Sequence, residues 1–307
     1  MRFLFSALLG CVLGACTFNV QAGAGTRAAE SDATFTTLSA DLTGGRLRDG
    51  VVRVTGSSRR GARATVTASG LLGAGASTGA ISDGLAVAFT PGAGGELRLS
   101  VSYTGAAAES VWLQEVALET PASASVALDV AGADVTIDGV LGNADVRAAG
   151  GAIDVGATVR AGDVTLATRF GSYPVTVRAE TASIETDVGL VTLDVTGSVQ
   201  VTTTTGDVVG RFGESGTITS DAGTVRVELA SAPTGAVSIS TDGGEIVLGV
   251  PAGASMVLDL QTRGGTISVA TAERTYDDTA PVVLTLGGGG PRVTLRAMGG
   301  SIAVEER

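Results

Sequence analysis

Two aspartates open the chemical reading. Asp145 and Asp163 lie 18 residues apart, and each precedes a valine expected to point inward, Val146 and Val164. If 18 residues make one lap of a repeating coil, the two carboxylates stack about 5 Å apart, one strand spacing. Such a pair repels unless a cation or an arginine intervenes, which makes it a weak candidate for a Ca²⁺ site. Hard cations want six or more oxygens, and the glycine-rich nonapeptide of calcium-binding solenoids is absent. The plainer reading is a solvated turn pair beside Arg147 or Arg160. Glycosidic cleavage needs two carboxylates about 5–9.5 Å apart, a spacing some pair among 31 acids meets by chance. The chain has no histidine and no lysine, so all 20 basic residues are arginine. That excludes histidine acid/base work, histidine-ligated metals and Schiff bases. No catalytic residue, metal or cofactor is assigned, and the chain is read as non-enzymatic.

The elements that would position any site are short strands. Hydrophobic residues make up 44% but aromatics only 4%, so Val, Ala, Leu and Ile must carry the core. Alternation recurs, as in Val52-Arg53-Val54 and Leu97-Arg98-Leu99-Ser100-Val101, and 46 glycines punctuate it. From about residue 126 the strands repeat. Val135 to Ile153 and Val146 to Val164 are 18 apart, Val199 to Ile218 to Val237 is 19 twice, and Val225 to Ile246 to Ile267 is 21 twice. Such laps predict an all-β solenoid, a β-helix-like stack whose inward Val, Ile and Leu superpose in one narrow column. Aromatics would overfill that bore. Residues 36–115 are read as an N-terminal β cap, with Trp112 as a core plug rather than a ligand platform, and 116–307 as the solenoid repeats. Residues 292–304 look like a last coil, with Glu305-Glu306-Arg307 guarding its edge. The 19-residue register would align Ser198, Gln200 and Thr202 with Thr217, Thr219 and Asp221, then with Ala236, Ser238 and Ser240. That makes a flat hydroxyl face for a glycan, a crystalline surface or a protein, although strand propensity alone explains such residues.

A net charge of −11 argues against nucleic acid as a partner. At the N-terminus a basic start precedes an apolar run of about thirteen residues, Phe3 to Ala15, too short to span a membrane. It ends in Leu13-Gly14-Ala15-Cys16, which resembles the lipobox of bacterial lipoproteins. The resemblance implies a signal peptide over 1–15, lipidation of Cys16 and a membrane partner reached through that anchor. With Thr17 rather than Asp next in line, it implies the outer membrane of the bacterial cell envelope. Ordinary secretion with cleavage after Val20-Gln21-Ala22 is the alternative. Residues 16–35, small and polar, read as a flexible tether.

Several passages resemble the adhesin-like domain family, a repetitive β-solenoid domain of unknown function in bacterial surface and periplasmic proteins. They are Pro121-Ala122-Ser123-Ala124-Ser125, Pro251-Ala252-Gly253-Ala254-Ser255, Ala161-Gly162-Asp163-Val164 and Thr205-Gly206-Asp207-Val208. Gly287-Gly288-Gly289-Gly290-Pro291 followed by Gly299-Gly300-Ser301-Ile302 is similar to that family's closing coil. The resemblance spans roughly residues 45–304 and implies adhesion or structural contact with an unknown protein or glycan partner. A carbohydrate-active enzyme on the same scaffold, and an envelope scaffold or signalling accessory whose solenoids dock end to end, are the alternatives.

Overall fold

Alternating side chains need two layers to bury one face of each strand, and the chain supplies both from every lap. The computed structural model describes residues 21–43, 47–72, 79–104, 111–155, 163–168 and 174–307. Cys16, the apolar run before it and Arg160 lie outside them.

The N-terminal elements are β1 (Gln21–Ser31), β2 (Thr37–Leu42), β3 (Leu47–Ser57), β4 (Ala62–Leu72), a short helix α1 (Gly79–Gly84), β5 (Leu85–Pro91), β6 (Glu96–Tyr103) and β7 (Val111–Pro121). The repeats run β8 (Ser125–Val130), β9 (Ala133–Asp138), β10 (Ala144–Ala148), β11 (Ile153–Val155), β12 (Asp163–Thr168), β13 (Val175–Ala179) and β14 (Thr181–Val188). They continue with β15 (Val191–Val195), β16 (Ser198–Thr205), β17 (Val208–Phe212), β18 (Ser215–Ser220), β19 (Val225–Leu229), β20 (Val237–Thr241) and β21 (Ile246–Val250). The C-terminal elements are β22 (Met256–Thr262), β23 (Ile267–Ala270), β24 (Thr275–Asp278), β25 (Val282–Leu286), β26 (Arg292–Ala297) and β27 (Ile302–Glu306).

From β8 to β21 each lap gives one strand to sheet B and the next to sheet A, and successive laps pair in parallel. Among the described residues sheet A has 14 strands and sheet B 13. The ends are antiparallel: β1–β4–β7 and β5–β6 at one end, β23–β24 and β22–β25 at the other. The fold is thus a stacked, two-sheet β-solenoid.

Inward residues form unbroken rows between the sheets. Val201, Ile218 and Ile239 make one such row, each fully buried, and all belong to a single hydrophobic core that runs from Phe35 to Val304. Burial of each Val, Ile or Leu contributes about 1.5–3 kcal/mol.

Several expectations need correcting. The 19-residue register is off by two: Val199 pairs with Gly216, which pairs with Val237, so the true steps are 17 and then 21 residues. Likewise Val146 pairs with Leu166, and Val164 with Ala144. Val135 with Ile153 and Val225 with Ile246 stand as read. A slip of two keeps every side chain on its face, so alternation could not reveal it.

The segment read as a tether contains β1, which pairs with β4 over eleven positions. Gly25 of β1 serves packing, because a Cβ there would collide with Ser82 of α1. Residues 292–304 are not the last coil in space. β26 lies between β20 and β22, and β27 between β21 and β23, so the edges fall to β24 and β25. Trp112 is no core plug; it is half-buried on the outer face of β7, opposite Ser69, while Val111 and Leu113 point inward. Finally, an aromatic does enter the bore. Phe212 is fully buried, and its ring lies where a Cβ on Gly216 of the facing sheet would stand.

Candidate functional site

The outer face of sheet B carries hydroxyl and amide side chains, with the Glu185 carboxylate among them, in rows set by the corrected register. One row is Thr165, Ser183, Gln200, Thr217 and Ser238; the next is Glu185, Thr202, Thr219 and Ser240. Ser198 pairs with Ser215 in a third. Rows of this kind repeat every 4.7–4.9 Å across strands, roughly, and about 6.8 Å along them. A shallow hollow of ≈ 480 Å³ lies over β12 to β20, lined by Thr165, Ser183, Gln200 and Thr217 among others. Among the described residues no ion pair crosses these side chains, so their donors and acceptors face solvent. Such a surface suits broad hydrogen bonding.

The outer face of sheet A is different. Arg178, Asp194, Arg211 and Glu228 succeed one another on β13, β15, β17 and β19. Asp194 accepts a hydrogen bond from Arg211 Nε at 2.7 Å and lies 3.7 Å from Arg178. The Arg211 hydrogen bond holds the Asp194 carboxyl below its ordinary value, and burial opposes it only in part. Gly249 follows Glu228 in the row, and Arg307 lies over it, 3.1 Å from Glu228 and 3.2 Å from Glu305. Opposite charges on neighbouring strands neutralise this face.

The structure does not stack the predicted aspartate pair. Asp145 sits opposite Thr165 and Ala127 and lies 3.5 Å from Arg147. Asp163 sits opposite Thr181, accepts that residue's hydroxyl, and its own N–H donates to Asn143 Oδ1 at 3.1 Å. Among the described residues no group of three or more Asp, Glu, His or Cys could hold a metal ion. Aspartates before inward valines on sheet A act as pegs between laps: Asp134 accepts the N–H of Ala152 at 2.9 Å, and Asp207 that of Thr224 at 2.7 Å.

Reasoning from sequence missed an internal polar ladder. Thr168, Thr186, Thr203, Ser220 and Thr241 form one buried, inward row on sheet B, each opposite the next. Ser220 Oγ donates to the Gly206 carbonyl and Thr241 Oγ1 to that of Gly223, both at 3.3 Å, while Gly244 N–H donates to Thr241 Oγ1 at 3.0 Å. A Cβ on Gly206, Gly223 or Gly244 would strike the glycine carbonyl of the preceding lap. The signal was the spacing Thr/Ser-x-x-Gly-x-Val/Ile, as in Thr203 to Val208, Ser220 to Val225, Thr241 to Ile246 and Thr262 to Ile267.

The sequence matches no protein-family model and no curated protein. Three solved structures to which the chain is similar are candidate adhesins. One from Parabacteroides merdae is 11% identical at a TM-score of 0.35, covering 92% of this chain and 96% of that one. One from Bacteroides fragilis is 11% identical at 0.37, covering 91% and 96%. A third, from Parabacteroides distasonis, is 13% identical at 0.34, covering 94% and 98%. Likeness of this degree carries no conclusion about function. No helix among the described residues is long and apolar enough to cross a membrane.

Proposed function

We propose that this chain is a non-enzymatic, adhesin-like scaffold of the bacterial cell envelope that meets a neutral, hydroxyl-rich glycan through the outer face of sheet B. The observation that carries this reading is the in-register array around Gln200, Thr217 and Ser238, free of ion pairs and laid flat over consecutive laps. A repeating polymer can match a repeating surface at many weak points, and each added contact raises avidity without any single strong site. Binding by neutral hydrogen bonds should also survive added salt, unlike binding to the charged face of sheet A.

The test is co-sedimentation of the full-length protein with envelope polysaccharide. Thr217→Arg, which places a long charged side chain at the centre of the array, should abolish retention at low and high salt. Thr192→Arg, on the outer face of sheet A, should leave it unchanged. Equal retention by both variants would overturn the reading.

In the same reading Cys16 carries lipid and holds the molecule at the outer membrane. Only Thr17 to Val20 separate Cys16 from β1, and four residues reach at most about 14 Å, so the N-terminal end of the column would stand close to the bilayer. Mass spectrometry of the native N-terminus should find acylated Cys16; an unmodified start at Gly23 would contradict the anchor.

A further inference from the structure

Chain order and spatial order part at the C-terminal end of the column. β22 and β23 follow β21 in sequence, yet β26 pairs in parallel with both β20 and β22, and β27 with both β21 and β23. The lap 291–307 is therefore seated between two laps that are consecutive in the chain.

Those two flanking laps match each other across the insert. Val237, Val293 and Leu258 form one row, and Ile246, Ile302 and Ile267 another. The offset between the flanking laps is 21 residues in both sheets, the same offset that joins β18 directly to β20 and β19 directly to β21. Ladder residues correspond as well, Thr241 with Thr262 and Gly244 with Gly265. Thr262 Oγ1 donates to the Gly300 carbonyl of the insert at 2.7 Å, where Thr241 uses the glycine of its own preceding lap.

Connector length fits either arrangement. Seven residues join Leu229 to Val237 across one rung, and seven join Val250 to Leu258 across two. Seven extended residues reach roughly 23–25 Å, far beyond the roughly 10 Å of two rungs. The insert is clasped at its end rather than buried beyond reach. Arg307 pairs with Glu228, its N–H donates to the Val250 carbonyl at 2.9 Å, and Gly253 N–H donates to Glu306 Oε1 at 3.2 Å.

We propose that the space between the β20–β21 lap and the β22–β23 lap is a strand-acceptor slot. Its ligand is a two-strand segment with the sequence of β26–β27, supplied by the chain's own C-terminus or by the C-terminus of a second copy. When the slot is vacated, β22 and β23 close onto β20 and β21 in the 21-residue register, and Thr262 takes the Gly244 carbonyl as acceptor. The slot thereby remakes its ladder while the freed strands, with Val293, Leu295, Ile302 and Val304 uncovered, seek an equivalent slot in a neighbour. Exchange of an identical element between copies is a low-cost route to a dimer.

The test uses the full chain with a protease site placed in the loop 287–290 and the paired substitutions Ser240→Cys and Gln261→Cys. These two outward positions flank Arg296 in the seated arrangement, two rungs apart and too far for a disulfide, but become neighbours when the slot closes. After cleavage, an excess of tagged peptide of residues 291–307 should replace the native segment. Dilution of the cleaved protein with no peptide added should empty the slot and raise disulfide formation between the two introduced thiols about tenfold or more over the uncleaved chain, and added peptide should suppress it by refilling the slot. A Ser240→Cys, Arg296→Cys pair should cross-link readily before cleavage and serves as the reference. In the uncleaved chain, mixed populations carrying two different tags should yield dimers of both tags at high concentration. Failure of the peptide to exchange would overturn the proposal, and so would loss of the fold when the segment leaves. Mixed-tag dimers that persist when β26–β27 carries Leu295→Asp and Val304→Asp would overturn the role of the second copy.

Discussion

At the scale of single residues, glycine and threonine have divided roles that their numbers do not announce. Gly206 has no unusual backbone angle; it is glycine because a methyl group there would strike the Gly189 carbonyl and crowd Thr203. Gly132, by contrast, has open space where a Cβ would stand. Gly206→Ala should therefore destabilise the fold by about 1–3 kcal/mol, and Gly132→Ala should stay within about 0.5 kcal/mol. Urea unfolding monitored by circular dichroism separates the two. The hydroxyl of Thr203 is buried without a partner among the described residues, unlike those of Ser220 and Thr241, so the ladder is not uniformly satisfied. The sequence displays all of these residues, but the laps were aligned on their inward Val and Ile alone. The threonine three places before each glycine went unused, because a polar residue pointing inward contradicts simple alternation.

At the scale of strands, alternation told which way each side chain points and little else. Asp194 shows what neighbouring strands add. On its own strand it is one acid among polar residues, yet pairing places Arg178 on one side and Arg211 on the other. Its folded carboxyl is held below the ordinary 3.8 by the Arg211 hydrogen bond. The stability it contributes is therefore present above that ordinary value and is lost as pH falls through the lower folded value. Asp194→Asn should lower the urea midpoint at neutral pH, and the difference from the parent should vanish under strongly acidic conditions. Because the side chains are well exposed, added salt should shrink the neutral-pH difference too. A difference that grows on acidification would contradict the ladder. The same limit explains the slip in register: lap lengths of 17 and 21 residues average to 19, and a two-residue error moves no side chain to the wrong face. Phe212 escaped for a related reason, since its space comes from Gly216 in the facing sheet, which no local pattern on β17 reveals.

At the scale of the whole molecule, the solenoid was legible because every lap repeats the same choice of inward Val, Ile or Leu. The ends were not, because there the chain abandons the repeat. β1 and β5 turn antiparallel at one end, β24 and β25 at the other, and the final lap threads back between two others. What remains is a column with two unlike stretches of surface, one laced with opposite charges over β13 to β19 and one lined with hydroxyls over β12 to β20. The account rests on successive laps aligning Gln200, Thr217 and Ser238 into a single outward row. Disulfide formation rates in the paired variants Gln200→Cys, Thr217→Cys and Ser198→Cys, Thr217→Cys test this most directly. The first pair sits directly opposite on adjacent strands and should close fast, while the second is diagonal at roughly 8 Å and should close slowly or not at all. Faster closure of the second pair would restore the 19-residue alignment and contradict the array described for sheet B.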